Sequence, residues 1–210
     1  FGSSDANTYL LRQTRLRGKT HQRLILKRYK LKLVIASDIH GSAYYAQKVK
    51  DAFEREGGEL LALLGDIYNP GPRNPISKDY EPLKVASILN SIKDKLIVIK
   101  GNCDSEVDTL ISEFDFSDFS QIFVDGLKIT LTHGHKFNKD NMPTNAGDLM
   151  CYGHFHTGFI TKVGKTVVAN AGSVSLPKDG TPSSYLTVEG GVVTLKDIDG
   201  KTVDTMKIEK

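Results

Sequence analysis

The run Lys32-Leu33-Val34-Ile35-Ala36-Ser37-Asp38-Ile39-His40-Gly41 is apolar and β-branched, then ends abruptly in a carboxylate, an imidazole and a glycine. It reads as a buried strand. Asp38 and His40 stand two residues apart at its end, so both side chains point the same way and can reach one cation. A carboxylate with an imidazole suits Mn, Fe or Zn. The layout recurs down the chain. Residues 59–64 form a second apolar run closed by Gly65-Asp66, and residues 96–100 a third closed by Gly101-Asn102. Between them, residues 44–56 space Tyr45, Val49 and Phe53 four apart, and Gly57-Gly58 closes that helix. Residues 81–94 place Val85, Ile88, Leu89 and Ile92 at helical spacing. Residues 69–75 are too rich in proline and glycine to be anything but loop. The order is strand, helix, strand, helix, strand, with right-handed crossovers. In such sheets ligands gather at the carboxyl ends of the strands, where Asp38, Asp66 and Asn102 all fall.

The second half changes character. Residues 127–132, 149–152, 166–170, 184–188, 192–198 and 201–208 read as short strands. Glu189-Gly190-Gly191 and Asp199-Gly200 read as hairpin turns. Two of these strands end in His-x-His pairs, His133 with His135 and His154 with His156. A glycine adjoins the first histidine of each pair and permits close backbone approach. Taken singly, any of these residues has an ordinary alternative: Asp66 a helix cap, Asn102 a turn residue, a histidine a core or surface role. Five of the six histidines in such motifs, with Gly-Asp and Gly-Asn elements between them, make chance a poor explanation. A parallel first half and a hairpin-rich second half predict an α/β architecture of two stacked sheets with helices outside.

The bulk properties fit a globular chain. It has 210 residues, 39% of them hydrophobic and 25% charged, enough for one well-packed domain. Its net charge of +3 is unevenly distributed. Residues 1–30 hold eight of the 28 Lys and Arg and only one acid, leaving 20 bases against 24 acids beyond. The body is therefore mildly acidic, and the pI near 8.7 does not argue for a nucleic-acid-binding face. Residues 1–30 are expected to be a basic leader, vector-derived or disordered, ahead of a single domain over 31–210. No membrane span or secretory h-region is visible, and the two cysteines do not resemble a disulfide framework. The expected setting is cytoplasmic.

In order, the chain carries Asp38-x-His40, Gly65-Asp66, Gly101-Asn102, Thr132-His133-Gly134-His135 and Gly153-His154-x-His156. This pattern resembles the metallophosphoesterase, or calcineurin-like phosphoesterase, superfamily. Ser37-Asp38-Ile39-His40-Gly41-Ser42, Gly71-Pro72-Arg73-Asn74, Asn102-Cys103-Asp104-Ser105 and Gly172-Ser173-Val174-Ser175 are similar to the small bacterial YfcE-type phosphodiesterases. The resemblance implies a four-layer α/β/β/α sandwich of two mixed β-sheets flanked by helices. It implies two divalent metal ions, Mn²⁺ foremost with Fe, Ni or Zn as alternatives. Asp38, His40 and His156 would hold the first metal, Asn102, His133 and His154 the second, and Asp66 would bridge. Asp66, Asn102 and His133 also carry the catalytic assignment. Two cations roughly 3.5–4 Å apart lower the pKa of a bridging water, which then attacks phosphorus as hydroxide. His135 has no metal role in the pattern, and supporting a ligand or standing by remain equally open to it.

One departure bears on substrate. Many members carry histidine directly after the motif asparagine, and here Cys103 stands there. A thiol is a poor copy of imidazolium at neutral pH. Its presence disfavours monoesters, which carry more charge, and favours diesters with stabilised leaving groups. Cys103 is equally suited to simple packing beside the site. Arg73 fits phosphate oxygens in a bidentate way and equally suits a solvated loop. The expected activity is metal-dependent hydrolysis of a small phosphodiester. The alternatives are a monoesterase such as a protein phosphatase, and a catalytically idle protein-binding scaffold like the retromer subunit of the same fold. No nucleic-acid or membrane partner is indicated, and the resemblance is compatible with a homodimer.

Overall fold

Every second residue of the first strand faces a different core. In the computed structural model, which describes residues 31–209, β1 spans Leu33–Ala36 and is buried on both faces. Leu33 and Ile35 enter one apolar cluster, Val34 and Ala36 another. β2 (Leu60–Leu63) and β3 (Leu96–Ile99) repeat the division, with Ala62 and Ile99 on the first side and Leu61, Leu63 and Val98 on the second. A strand apolar on both faces must be covered on both, and this fixes the layering. The leader expected over residues 1–30 lies outside the described residues.

One cover is helical. α1 (Ala43–Arg55) and α2 (Pro82–Asn90) lay Ala46, Val49, Phe53, Val85 and Leu89 on Val34, Leu61 and Leu63. Small alanines at 43, 46 and 52 let α1 lie close to the strands. Ser42 caps α1 by accepting the Tyr45 N–H at 3.2 Å. α2 is shorter than the 81–94 reading. It stops at Asn90, and a 3-10 turn at Lys93–Lys95 turns the chain into β3. The apolar spacing continued past the point where the backbone had to reverse.

The other cover is a second sheet. β4 (Phe116–Ser117) adds a short parallel strand beside β3. The chain then crosses to β5 (Ser120–Val124), β6 (Leu127–Leu131), β7 (Leu149–Tyr152), β8 (Phe159–Val163) and β9 (Thr166–Asn170), which lie in the order β5-β6-β7-β9-β8. Ile129, Leu131, Leu149, Cys151, Val167 and Ala169 of this sheet pack on Leu33, Ile35, Ala62 and Leu64 of the first. The chain returns as β10 (Ser184–Glu189), β11 (Val192–Asp197) and β12 (Thr202–Lys207). These do not join the second sheet. They extend the first sheet antiparallel from the free edge of β1, giving β12-β11-β10-β1-β2-β3-β4.

Both sheets are mixed, and the α/β architecture of two stacked sheets stands. Its division does not follow the chain midpoint, however, and its outer layers are unequal. Met150, Tyr152 and Val168 on the far face of the second sheet are covered by Met142 and Ala146 from irregular chain, with no helix there among the described residues. β4, β5 and β8, none of which stands out in the sequence, are edge or half-buried strands. Phe123 in β5 is 73% exposed, so apolar periodicity is weak where only one face meets the core. Among the described residues no helix is long and apolar enough to cross a membrane.

Ile35 sits at the centre of the sheet-to-sheet core with no exposed surface. Replacing it with alanine should cost about 2–5 kcal/mol. The expected reading is a lower denaturant midpoint with an unchanged slope.

Candidate metal centre

β1, β2 and β3 of one sheet and β6 and β7 of the other end at the same rim. The residues just past those ends are Asp38 and His40, Asp66, Asn102, His133, and His154 with His156. Five of these seven have left-handed backbones, with φ between 49° and 65° at Asp38, His40, Asp66, His154 and His156. That region is uncommon for residues other than glycine, though Asp and His enter it more readily than most. Here it turns the chain back as the strand ends and aims each side chain inward. Hydrogen bonds between loops hold the turns: His40 N–H donates to Asp66 O at 2.9 Å, Gly41 N–H to Ile67 O at 2.8 Å, and Gly153 N–H to His133 O at 2.8 Å. The glycines fit this crowding. A Cβ at Gly153 would overlap Ser37 Oγ and Asp38 Oδ2, and one at Gly65 would lie 2.5 Å from the Gly101 nitrogen.

Three of the imidazoles share one orientation. His40 Nδ1 lies 2.7 Å from Asn69 O, His133 Nδ1 2.6 Å from Leu64 O, and His156 Nδ1 2.7 Å from Leu176 O. A backbone carbonyl only accepts, so each Nδ1 carries a proton and each Nε2 is the nitrogen turned toward the centre. Metal-ligating histidines are fixed in this way. The Nε2 atoms of His40 and His156 are 3.0 Å apart. Asp38 Oδ1 lies 3.2 Å from His156 Nε2 and 3.6 Å from His40 Nε2, yet is buried with no hydrogen-bond partner. Three lone-pair atoms facing one another demand a positive charge between them.

A second group adjoins the first through Asp66. Its Oδ2 lies 3.4 Å from His133 Nε2 and 3.9 Å from His40 Nε2, between the two histidine sets. Asn102 Oδ1 is 3.0 Å from His133 Nε2. The other carboxylate oxygens are occupied elsewhere. Asp38 Oδ2 accepts the His154 N–H at 2.9 Å and Asp66 Oδ1 the Cys103 N–H at 2.8 Å. Each acid thus keeps one oxygen for the centre. The trios Asp38–His40–His156 and Asp38–Asp66–His133 each have ligand atoms within 4.8 Å of one another. The oxygen and nitrogen donors fit divalent transition metals.

Charge follows from this packing. Burial would push the Asp38 carboxyl up, but His156 and His40 hold it far below the usual carboxylate range. Burial likewise opposes ionisation of Asp66, and His133 outweighs it and lowers its pKa. Burial would lower His133, yet Asp66 and Asp38 raise it to about 9. His154 is pushed down to about 4 by burial and by its neighbour His133, so it is neutral at physiological pH. Its ring centroid lies 5.1 Å from that of His133. His135 stands 5.4 Å from His133, exposed at the rim. Cys103 is raised to about 12 by burial and by the nearby Asp66 carboxylate. Its thiol is therefore neutral, and its sulfur lies within 4.8 Å of ligand-type atoms of His40 and Asp66.

The sequence reading assigned no role to Asp104. This carboxylate, 7% exposed, accepts three backbone N–H groups, from Asp66, Ile67 and Gly101, each at 2.8 Å. It clamps the loop bearing Asp66 to the loop bearing Asn102. An acid two residues past the Gly-Asn turn was the only local signal. Ser173 and Ser175 were also missed, and both hydroxyls donate to Asp38 O, at 2.8 and 2.9 Å.

Two outcomes are expected. Asp104→Asn turns an acceptor into a donor facing backbone N–H groups and should destabilise the fold by about 1–3 kcal/mol, read as a lower melting temperature. His133 has a raised pKa in the fold. In chelator-stripped protein its proton therefore contributes stability that is full below about 6.5 and lost as pH rises through about 9. A divalent cation must displace that proton, so affinity should climb over the same window. Calorimetry near pH 7 should read about one proton released, and His133→Gln should remove the release.

Residues 31–190 match the family model described as the calcineurin-like phosphoesterase superfamily domain. Phosphodiesterase YfcE of Escherichia coli K12 is 38% identical over 175 residues, 82% of this chain and 95% of that protein. A solved structure of the E. coli phosphoesterase Yfce superposes with a TM-score of 0.82 at 36% identity, covering 85% of this chain and all of the other. Vps29 of Chaetomium thermophilum, 16% identical with a TM-score of 0.60 over 86% of this chain and 97% of its own, shares the fold. With the family model matching most of the chain and this curated relative matched almost end to end, the chain belongs to the calcineurin-like phosphoesterase superfamily.

Proposed function

We propose that this protein hydrolyses small phosphodiesters at a two-metal centre. The observation that carries the reading is the position of Asp66 Oδ2, which faces His40 on one side and His133 on the other. One carboxylate oxygen shared between two ligand sets supports a pair of cations rather than a single one. Asp38, His40 and His156 would hold the first, Asn102, His133 and His154 the second, with Asp66 between. Bound there, two divalent ions such as Mn²⁺, Fe, Ni or Zn would supply charge neutralisation for the phosphate and a water of lowered pKa as nucleophile.

The chain's own contribution is positioning. Backbone carbonyls hold three imidazoles in one tautomer. Backbone N–H groups hold both carboxylates, and Asp104 holds the two loops. Reorganisation during reaction is small when donors are fixed in advance. Cys103 explains the choice of ester. Its neutral thiol offers no cation to the extra charge of a monoester and, with a pKa pushed up to about 12, gives no ready proton to a leaving alkoxide. Diesters with stable leaving groups suit such a site. The complete ligand set supports catalysis over a purely scaffolding role.

The test compares bis(4-nitrophenyl) phosphate with 4-nitrophenyl phosphate, using protein stripped with chelator and refilled with Mn²⁺. Restored activity with preference for the diester is expected. Monoester preference would instead indicate a phosphatase, and a metal-loaded but inert protein would indicate a scaffold. Asp66→Ala should lower kcat by about 10²–10³-fold or more while the circular dichroism spectrum is kept; unchanged turnover would overturn the mechanism.

A further inference from the structure

We infer that Asp108 is a positioning residue for the centre: through Asn69 it fixes the backbone carbonyl that orients His40. The inference rests on the metal reading above and adds a residue that governs ligand geometry from outside the ligand set.

The three carbonyls that hold the imidazoles are not equally secured. Leu64 O, which holds His133, belongs to a residue just past β2 whose N–H donates to Ala36 O at 2.9 Å. Leu176 O, which holds His156, belongs to a residue whose N–H donates to Ser173 Oγ at 2.9 Å. Asn69 O, which holds His40 Nδ1 at 2.7 Å, has no such support. It lies on a half-buried residue at the start of the proline- and glycine-rich loop. Among the described residues no backbone hydrogen bond engages the Asn69 N–H. The next residue is Pro70, which has no N–H to give. The last backbone tie before Asn69 is at Ile67 O, which accepts the Gly41 N–H at 2.8 Å.

The Asn69 side chain supplies the missing tie. Its Nδ2 donates to both carboxylate oxygens of Asp108, at 3.4 Å to each. Asp108 is itself firmly set. It is 5% exposed, and its Oδ2 accepts the Ser105 N–H at 2.7 Å, capping the 3-10 turn Glu106–Leu110. Its backbone carbonyl accepts the Ser112 hydroxyl at 2.9 Å, and Ser112 Oγ lies 2.7 Å from the Tyr68 hydroxyl. Tyr68 and Asn69, neighbours in the chain, are thus both moored to the segment around one acid. A buried carboxylate is costly without donors. The contact therefore selects one rotamer of Asn69, and with it one direction of the carbonyl that His40 follows.

The segment that carries Asn102 reaches both ligand sets in this way. Asp104 grips the loop of Asp66, and Asp108 grips the residue behind His40. Groups that hold the far nitrogen of a metal-bound imidazole fix its tautomer and ring direction, and metal affinity depends on them. With Asn69 released, the His40 ring would be free to follow its carbonyl away from Asp38 and His156.

The experiment uses the full chain stripped with chelator, with Mn²⁺ and Co²⁺ alone as probes. Asp108→Ala also removes the cap of the 3-10 turn, so Asn69→Ala, which leaves that cap in place, is the deciding variant. Each substitution should weaken Mn²⁺ binding, read by calorimetry, by about tenfold, the lower end of the range for groups that support a ligand. The visible absorption of Co²⁺-loaded Asn69→Ala should shift as the His40 ring reorients. The double variant should bind no more weakly than the weaker single variant, because both substitutions break one link. Unchanged affinity in Asn69→Ala, an unchanged Co²⁺ spectrum, or losses that multiply in the double variant overturn the inference and leave the metal reading standing. Failure of the unaltered chain to bind either ion overturns both.

Discussion

The two sheets are joined at the site by Asp38. Its Oδ2 accepts the N–H of His154 from the opposite sheet. Its backbone carbonyl accepts the hydroxyls of Ser173 and Ser175, from the chain returning after β9. The preceding Ser37 O accepts the Val174 N–H at 3.2 Å. Two segments remote in sequence thus converge on one strand end. A buried carboxylate is costly unless its oxygens are satisfied. Here one oxygen is satisfied by the fold and the other is left to the centre, so fold and centre are coupled through a single side chain.

The same division runs through the rest of the site. Five of the seven rim groups give one polar end to the scaffold and turn the other to the centre. Three imidazoles give Nδ1 to backbone carbonyls, and two carboxylates give one oxygen each to backbone N–H groups. Asn170, one layer back, gives both ends to the scaffold, donating to Gly153 O and accepting from Gly172 N–H, both at 2.8 Å. Left-handed turns are tolerated at five ligand positions because such bonds over-determine them. In the chain by itself the proton on His133 offsets part of the buried carboxylate charge, and a bound cation would take its place.

A cavity opens beside the rim residues, its wall including Asp66, Asn102, His154 and His156. A thiol stands beside Asn102, and Arg73 and Lys178 are among the residues that line the cavity.

Much of this was legible in the chain. The strands over β1, β2, β3, β6, β7 and β9 were readable because they are buried on one or both faces, so apolar runs mark them directly. The residues that gather at the rim were readable because each follows such a run within a few positions. Tertiary structure decided what local pattern does not carry. β10, β11 and β12 pair with the edge of β1 rather than with the strands nearer in sequence, since β1 had an open edge and a buried face to complete. β5 and β8 became strands by pairing, with little apolar signal of their own. Asp104 gained its role only when two loops met around it, and Lys178 met His156 only when the chain after β9 folded back over that loop. Sequence therefore determined which residues can bind and which segments are buried, because burial and spacing are local properties. Structure alone decided which distant backbone groups fix them, because hydrogen bonds and cavities are made between segments whose separation in sequence no periodicity records.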